Sequence, residues 1–269
     1  MSVRAAILTT VLCLAGSRLF SAPLFFAEDT LETLHGSCTL APSTTPDHVR
    51  YEFTSSCDVS GDNCSNHDHD SDVPVATFTG LALADFEREG AHIDARIVAE
   101  AGTISCSGQI HAATLTGDFT FTPNASFVES MARLGFTGLT SNKLEAYTLF
   151  HIDTAWVRQL QAAGVTEMDS GNLIALRIFK ITPDYVRSMD ALGYTHLPAG
   201  KLIAFGVQHV NPDEVKQYRA LGYQPTPDQL IQMRIFKVTP DFIHRMQDRG
   251  LHDLTIAKLV QIRIFKLAD

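Results

Sequence analysis

The stretch Arg177-Ile178-Phe179-Lys180-Ile181-Thr182-Pro183-Asp184 returns 57 residues later as Arg234-Ile235-Phe236-Lys237-Val238-Thr239-Pro240-Asp241. In both copies the apolar end of one helix runs straight into the start of the next. The threonine side chain can accept a hydrogen bond from an orphan backbone N–H of the new helix, and proline at the first helical position loses nothing by lacking one. The aspartate that follows meets the positive end of the helix dipole.

Working outward, Gly135, Gly164, Gly193, Gly222 and Gly250 are separated by 29, 29, 29 and 28 residues. Aligned on these glycines, the helix starts read Phe121-Thr122-Pro123, Ile152-Asp153-Thr154, Ile181-Thr182-Pro183, Val210-Asn211-Pro212 and Val238-Thr239-Pro240. In the third copy Tyr185, Val186, Met189 and Leu192 recur at helical spacing. Gly193 then ends the helix in the left-handed conformation, with Tyr194 folding back, and Phe136, Tyr223 and Leu251 repeat that role. A second helix follows a polar turn, as in Thr226 to Arg234, Ser170 to Arg177 and Thr255 to Arg263.

A period of this size marks a repeat architecture. Five two-helix units are expected over 121–151, 152–180, 181–209, 210–237 and 238–267. Neither helix of a unit can bury its apolar stripe alone, so the units must stack as an α-solenoid.

Arg177, Arg234 and Arg263, with Lys180 and Lys237, form a candidate binding surface, because a ladder of guanidinium groups suits carboxylates or phosphates. The structural alternative pairs each arginine with the following helix start, at Asp184 or Asp241. Tyr147 and Phe205 interrupt the ladder in the first and third copies.

Residues 28–120 read differently. Alternation in Val49 to Phe53, Ile93 to Val98 and Gly117 to Phe121 predicts strands, and Gly102 to Thr122 reads as successive antiparallel strands broken at Gly108 and Gly117. Gly80 to Phe86 suits a short helical turn or loop. The expected class is therefore α+β, a small antiparallel β domain followed by the helical array.

The chain opens with Arg4 and an uncharged run from Ala5 to Gly16, which has the form of a signal peptide within residues 1–27. Its removal takes Cys13 and leaves Cys38, Cys57, Cys64 and Cys106. In an exported chain four cysteines favour two disulfides, with three possible connectivities. Cys57 and Cys64 bracket a turn and could bridge locally, leaving Cys38 and Cys106 to join distant strands. Secretion or a periplasmic location is expected, with no membrane insertion once the signal is cleaved.

Charge divides the chain at the same place. From Glu28 to Asp118 there are 16 acids against Arg50, Arg88 and Arg96, whereas from Phe121 onward 16 bases face 14 acids. An acidic head argues against nucleic acid or an anionic membrane as partner.

His67, Asp68, His69 and Asp70 are possible ligands for a divalent metal, although their spacing matches no closed motif and so polar a run also suits a solvated loop. No other cofactor is implied. The chain has no His-Glu-x-x-His, Gly-x-Ser-x-Gly or phosphate-binding glycine loop, and Asp169-Ser170-Gly171 lies where the repeat requires a helix cap.

Val73-Pro74-Val75, Gly80-Leu81, Ala101-Gly102-Thr103, the run Gly117 to Asn124, and units built on Leu-x-x-x-Arg-Ile-Phe-Lys and Val-Thr-Pro together resemble a family of exported strand-plus-repeat modules of bacteria. Such modules occur alone or appended to membrane metallopeptidases of the beta-lactam-sensor, antirepressor type. The resemblance spans Val73 to Leu267 and implies an accessory or sensing role in the envelope, without the peptidase's zinc motif. The expected function is a non-enzymatic protein-interaction module with a protein partner. A metal-binding envelope protein and, more remotely, a hydrolase are the alternatives.

Overall fold

The computed structural model describes residues 31–55 and 66–266, with the side chains of 55 and 66–71 outside that set. The expected signal segment, Cys57 and Cys64 lie outside the described residues. From Leu31 onward the strands and helices form one compact unit.

Six strands build one curled antiparallel sheet: β1 (Leu34–Pro42), β2 (His48–Ser55), β3 (Asn66–Pro74), β4 (His92–Ala99), β5 (Gly102–His111) and β6 (Thr114–Pro123), in the order β3-β2-β1-β6-β5-β4. Two three-stranded meanders are thus joined where β1 pairs with β6, from Leu34 opposite Phe121 to Leu40 opposite Leu115. Alternation sorts the faces: Ile93, Ala95 and Ile97 of β4 are buried while His92, Asp94 and Arg96 are exposed. The expected turn between Gly80 and Phe86 is a 3-10 turn at Leu83–Glu87.

Gly108 and Gly117 do not break strands. They face each other inside the β5–β6 ladder, where a Cβ on Gly117 would stand 2.1 Å from the Ser107 carbonyl oxygen. Two missing side chains let the backbones approach closely there and bend. Cys38 on β1 lies opposite Gly117, and its sulfur crosses β6 to bond Cys106 on β5, with the two Cα atoms 5.9 Å apart. Strands separated by a third would stand about 9.5 Å apart in a flat sheet. The sheet is curled at this point.

The first repeat starts later than the glycine alignment implied. Phe121, Thr122 and Pro123 belong to β6, since the Phe121 ring is needed in the sheet core, and the helix cap is Asn124 rather than Thr122. The first helices of the repeats are α1 (Ala125–Arg133), α3 (Thr154–Ala162), α5 (Pro183–Asp190), α7 (Pro212–Ala220) and α9 (Pro240–Asp248). The second helices are α2 (Ser141–Leu149), α4 (Ser170–Ile178), α6 (Ala199–Val207), α8 (Pro227–Ile235) and α10 (Ile256–Phe265).

Every one of these except α6 has an Asn, Asp or Thr side chain accepting from a first-turn N–H, each cap contributing about 1 kcal/mol. Pro198 precedes α6, and there the Thr166 carbonyl of the preceding repeat accepts from Ala199 N–H at 2.8 Å. Asp169 serves as the cap of α4, as expected.

First helices pack on first helices and second on second, giving two layers. Leu144, Leu173, Leu202, Leu230 and Leu259 hold one position of the second-helix layer, all buried. The sheet seals the start of the array: α2 lies on β4, β5 and β6, and the Glu100 carboxylate of the β4–β5 turn accepts from Thr154 N–H at 2.8 Å, capping α3. Among the described residues no helix is long and apolar enough to cross a membrane.

Candidate interaction surface

The second helices all end on one edge of the array, and that edge carries most of the residues singled out from sequence. Aligned by their first residues, α2, α4, α6, α8 and α10 place Thr148, Arg177, Gly206, Arg234 and Arg263 at the same position. The interruptions of the ladder are therefore Thr148 and Gly206, one residue beyond Tyr147 and Phe205, which are buried in the core.

The arginines reach backward, not forward to Asp184 or Asp241. Arg177 donates from Nε to the Phe150 carbonyl at 2.9 Å and from Nη2 to the His151 carbonyl at 2.6 Å. Arg234 donates to the Gln208 carbonyl at 3.0 Å, and Arg263 to the Lys237 carbonyl at 3.1 and 2.9 Å. Each satisfies carbonyls that the preceding second helix leaves orphaned at its end. Asp184 instead pairs with Arg187 of its own helix. The first-helix layer uses the same device, with Gln161 donating to the Leu134 carbonyl at 3.0 Å and Arg219 to that of Leu192.

Each arginine also lies over the first helix of its own repeat. Arg177 stacks on Trp156 with its guanidinium 4.9 Å from the ring centre, and Arg263 on Phe242 at 4.1 Å. In the fourth repeat the corresponding residue is Glu214, which pairs with Arg234 at 2.8 Å and accepts from the Tyr218 hydroxyl at 2.9 Å. Beside this polar cluster lies a groove of about 530 Å³ lined by His209, Asn211, Asp213, Gln217 and Asp241. The signal for it was in the sequence, as an acid in a column otherwise held by Phe127, Trp156, Tyr185 and Phe242.

Gly206 shows what happens without the arginine. A Cβ there would stand 2.6 Å from the Phe179 Cβ and 3.0 Å from the Phe179 carbonyl oxygen, so the preceding repeat lies directly on the glycine. Gly206→Ala is expected to destabilise the chain by about 1–3 kcal/mol, the ordinary cost of overpacking. Gly200→Ala, in the same helix with nothing within 4 Å of its Cβ position, should instead stabilise by about 0.5–1 kcal/mol. Urea midpoints of the two variants, moving in opposite directions, check both.

Two features of this edge were not read from sequence. One is exposure: Ile178, Val207, Ile235 and Ile264, all at the last common helical position, are 47, 42, 51 and 47% exposed. Their apolar character alone would have placed them in the core. The other is conformation. The residue two beyond α2, α4, α6 and α8, and one beyond the longer α10, is His151, Lys180, His209, Lys237 or Lys266, with φ between 48 and 55°. The residue at the matching end of each first helix is glycine, in the same left-handed region. A side chain there costs roughly 1–2 kcal/mol.

Of the remaining candidates, Cys38 and Cys106 are joined by the disulfide. His67, Asp68, His69 and Asp70 stand on β3, but their side chains lie outside those described. No group of three or more His, Cys, Asp or Glu able to hold a metal ion occurs among the described residues.

A third departure from the repeat lies beneath the sheet. Glu145 of α2 holds the place of Ile174, Ile203, Ile231 and Val260; it is 1% exposed and its Oε2 has no hydrogen-bond partner. Burial alone pushes its carboxyl up to about 7. Comparison of the chain with family models, with curated proteins and with solved structures returned no match in any of the three.

Proposed function

We propose that the protein is an exported, non-enzymatic scaffold whose helical array docks a protein partner in the cell envelope. The observation that carries this reading is the recurrence of one exposed aliphatic residue, Ile178, Val207, Ile235 and Ile264, at the same place in successive second helices. An exposed side chain in one repeat is ordinary; a row of them at the period of the fold makes an apolar strip of the kind that marks docking surfaces. Export is supported by the basic-then-apolar start of the sequence and by the Cys38–Cys106 bond, which persists in oxidising compartments. The resemblance to envelope sensor modules agrees with both.

Reversing Arg177 or Arg234 would be a poor test, since both hold helix ends. The strip itself can be altered without touching the core. With a photo-reactive benzoylphenylalanine in place of the exposed Phe265, beside Ile264, the exported full-length chain should cross-link discrete proteins. Ile178→Asp with Ile235→Asp should abolish those cross-links while leaving the melting temperature within a few degrees. Identical cross-links from both versions would show that the strip is not the docking surface.

A further inference from the structure

We infer that the partner presents to this edge an extended segment in which carboxylates and apolar side chains recur together about every third residue. The inference rests on the docking reading above and names the chemistry of what docks.

The first support is the company the exposed aliphatics keep. Lys180 follows Ile178-Phe179, Lys237 follows Ile235-Phe236 and Lys266 follows Ile264-Phe265, and all three lysines are exposed with no ion-pair partner among the described residues. His151 and His209 hold the same place in the first and third repeats. The second, fourth and fifth rungs of the edge therefore each offer an apolar contact with a cation beside it.

The second support is internal to the chain. Both ends of every repeat need a left-handed residue, and the first-helix ends use glycine throughout: Gly135, Gly164, Gly193, Gly222 and Gly250. The second-helix ends, with the same backbone conformation, carry Lys or His in all five copies. Strain held where glycine would relieve it points to a use for the side chain. Capping the helix end is not that use in the fourth repeat: the Lys237 carbonyl there already takes two hydrogen bonds from Arg263.

Spacing sets the pattern. Packed helices lie roughly 8–10 Å apart, and a chain extended in the polyproline II conformation advances about 3.1 Å per residue with three residues per turn, so every third side chain returns to the edge about once per rung. The negative charge follows from the unpaired lysines.

A labelled 15-residue peptide of five Glu-Leu-Ser units, its counterpart of five Lys-Leu-Ser units, and vesicles containing phosphatidylglycerol are the probes, titrated against the full exported chain by anisotropy and co-sedimentation. The glutamate peptide should bind and the lysine peptide should not. Lys180→Glu with Lys237→Glu should weaken the first about tenfold, two exposed charge contacts being turned from attraction to repulsion, and admit the second. Equal binding of the two peptides, or binding unaffected by the lysine reversal, would overturn the inference. If the Ile178→Asp and Ile235→Asp chain still lost its cross-links, the docking reading would survive that failure. Vesicle binding by the wild type that the reversal abolishes would assign the edge to a lipid surface and also overturn it.

Discussion

Replacing Cys38 and Cys106 together by alanine is expected to lower folding stability by about 4 kcal/mol, read from urea denaturation of the full chain. The two residues are 68 apart in sequence, and closing so long a loop removes much of the freedom of the unfolded chain. Both are buried, one on each side of β6, so the bond ties β1 of the first meander to β5 of the second across β6. A double alanine variant isolates this bond from whatever Cys57 and Cys64 do, which a reducing agent would not. A loss under about 1 kcal/mol would mean that the β1–β6 ladder alone holds the meanders together.

Glu145→Ile should have the second large effect, with a distinctive dependence on pH. The carboxyl has an ordinary value of 4.5 and is pushed up to about 7 in the folded chain. Between those values the native state keeps a proton that the unfolded state has released, so stability falls as pH rises through the window and stays low above it. The difference amounts to about 3 kcal/mol. Restoring the aliphatic residue of the other four repeats should therefore raise stability by about that amount more at pH 8 than at pH 4. Subtracting the wild-type profile from the variant's removes the opposing contribution of exposed carboxylates such as Asp72, Glu89 and Asp94, whose hydrogen bonds to Ser43, His111 and Ser107 hold them below the usual range. A flat difference between pH 4 and 8 would show that Glu145 reaches water or a partner when folded.

Much of the array was legible because its signals are local. Thr182, Thr226 and Thr239 cap the helices they precede, and Gly193 and Gly222 adopt the left-handed conformation their positions imply. The first copy misled because its entry is a strand: Phe121 is apolar in either role, and only its ladder with Ile104 and Leu34 decides which. The arginines resisted reading because their acceptors are backbone carbonyls 26 or 27 residues upstream, which have no side-chain signature. The exposed edge was hidden for a related reason: Ile178 and Ile235 look like core, and only the stacking of the second helices shows that it leaves their last position outside. Glu145 and Glu214, by contrast, were visible as acids in apolar columns once the copies were aligned.

The join between the two meanders also sets an order in time. Contacts within the array span about one repeat, so each unit can form soon after its neighbour exists. β1 is different: Leu34 must wait for Phe121, 87 residues later, before its second edge is covered. A chain emerging from its amino end can make the β1–β2 hairpin early, but one side of β1 stays open until β6 arrives. Throughout that interval the growing molecule carries an unpaired strand edge, which invites pairing with another chain. The strand made first is thus among the last to be secured, and the Cys38–Cys106 bond can only seal what β6 has already brought together.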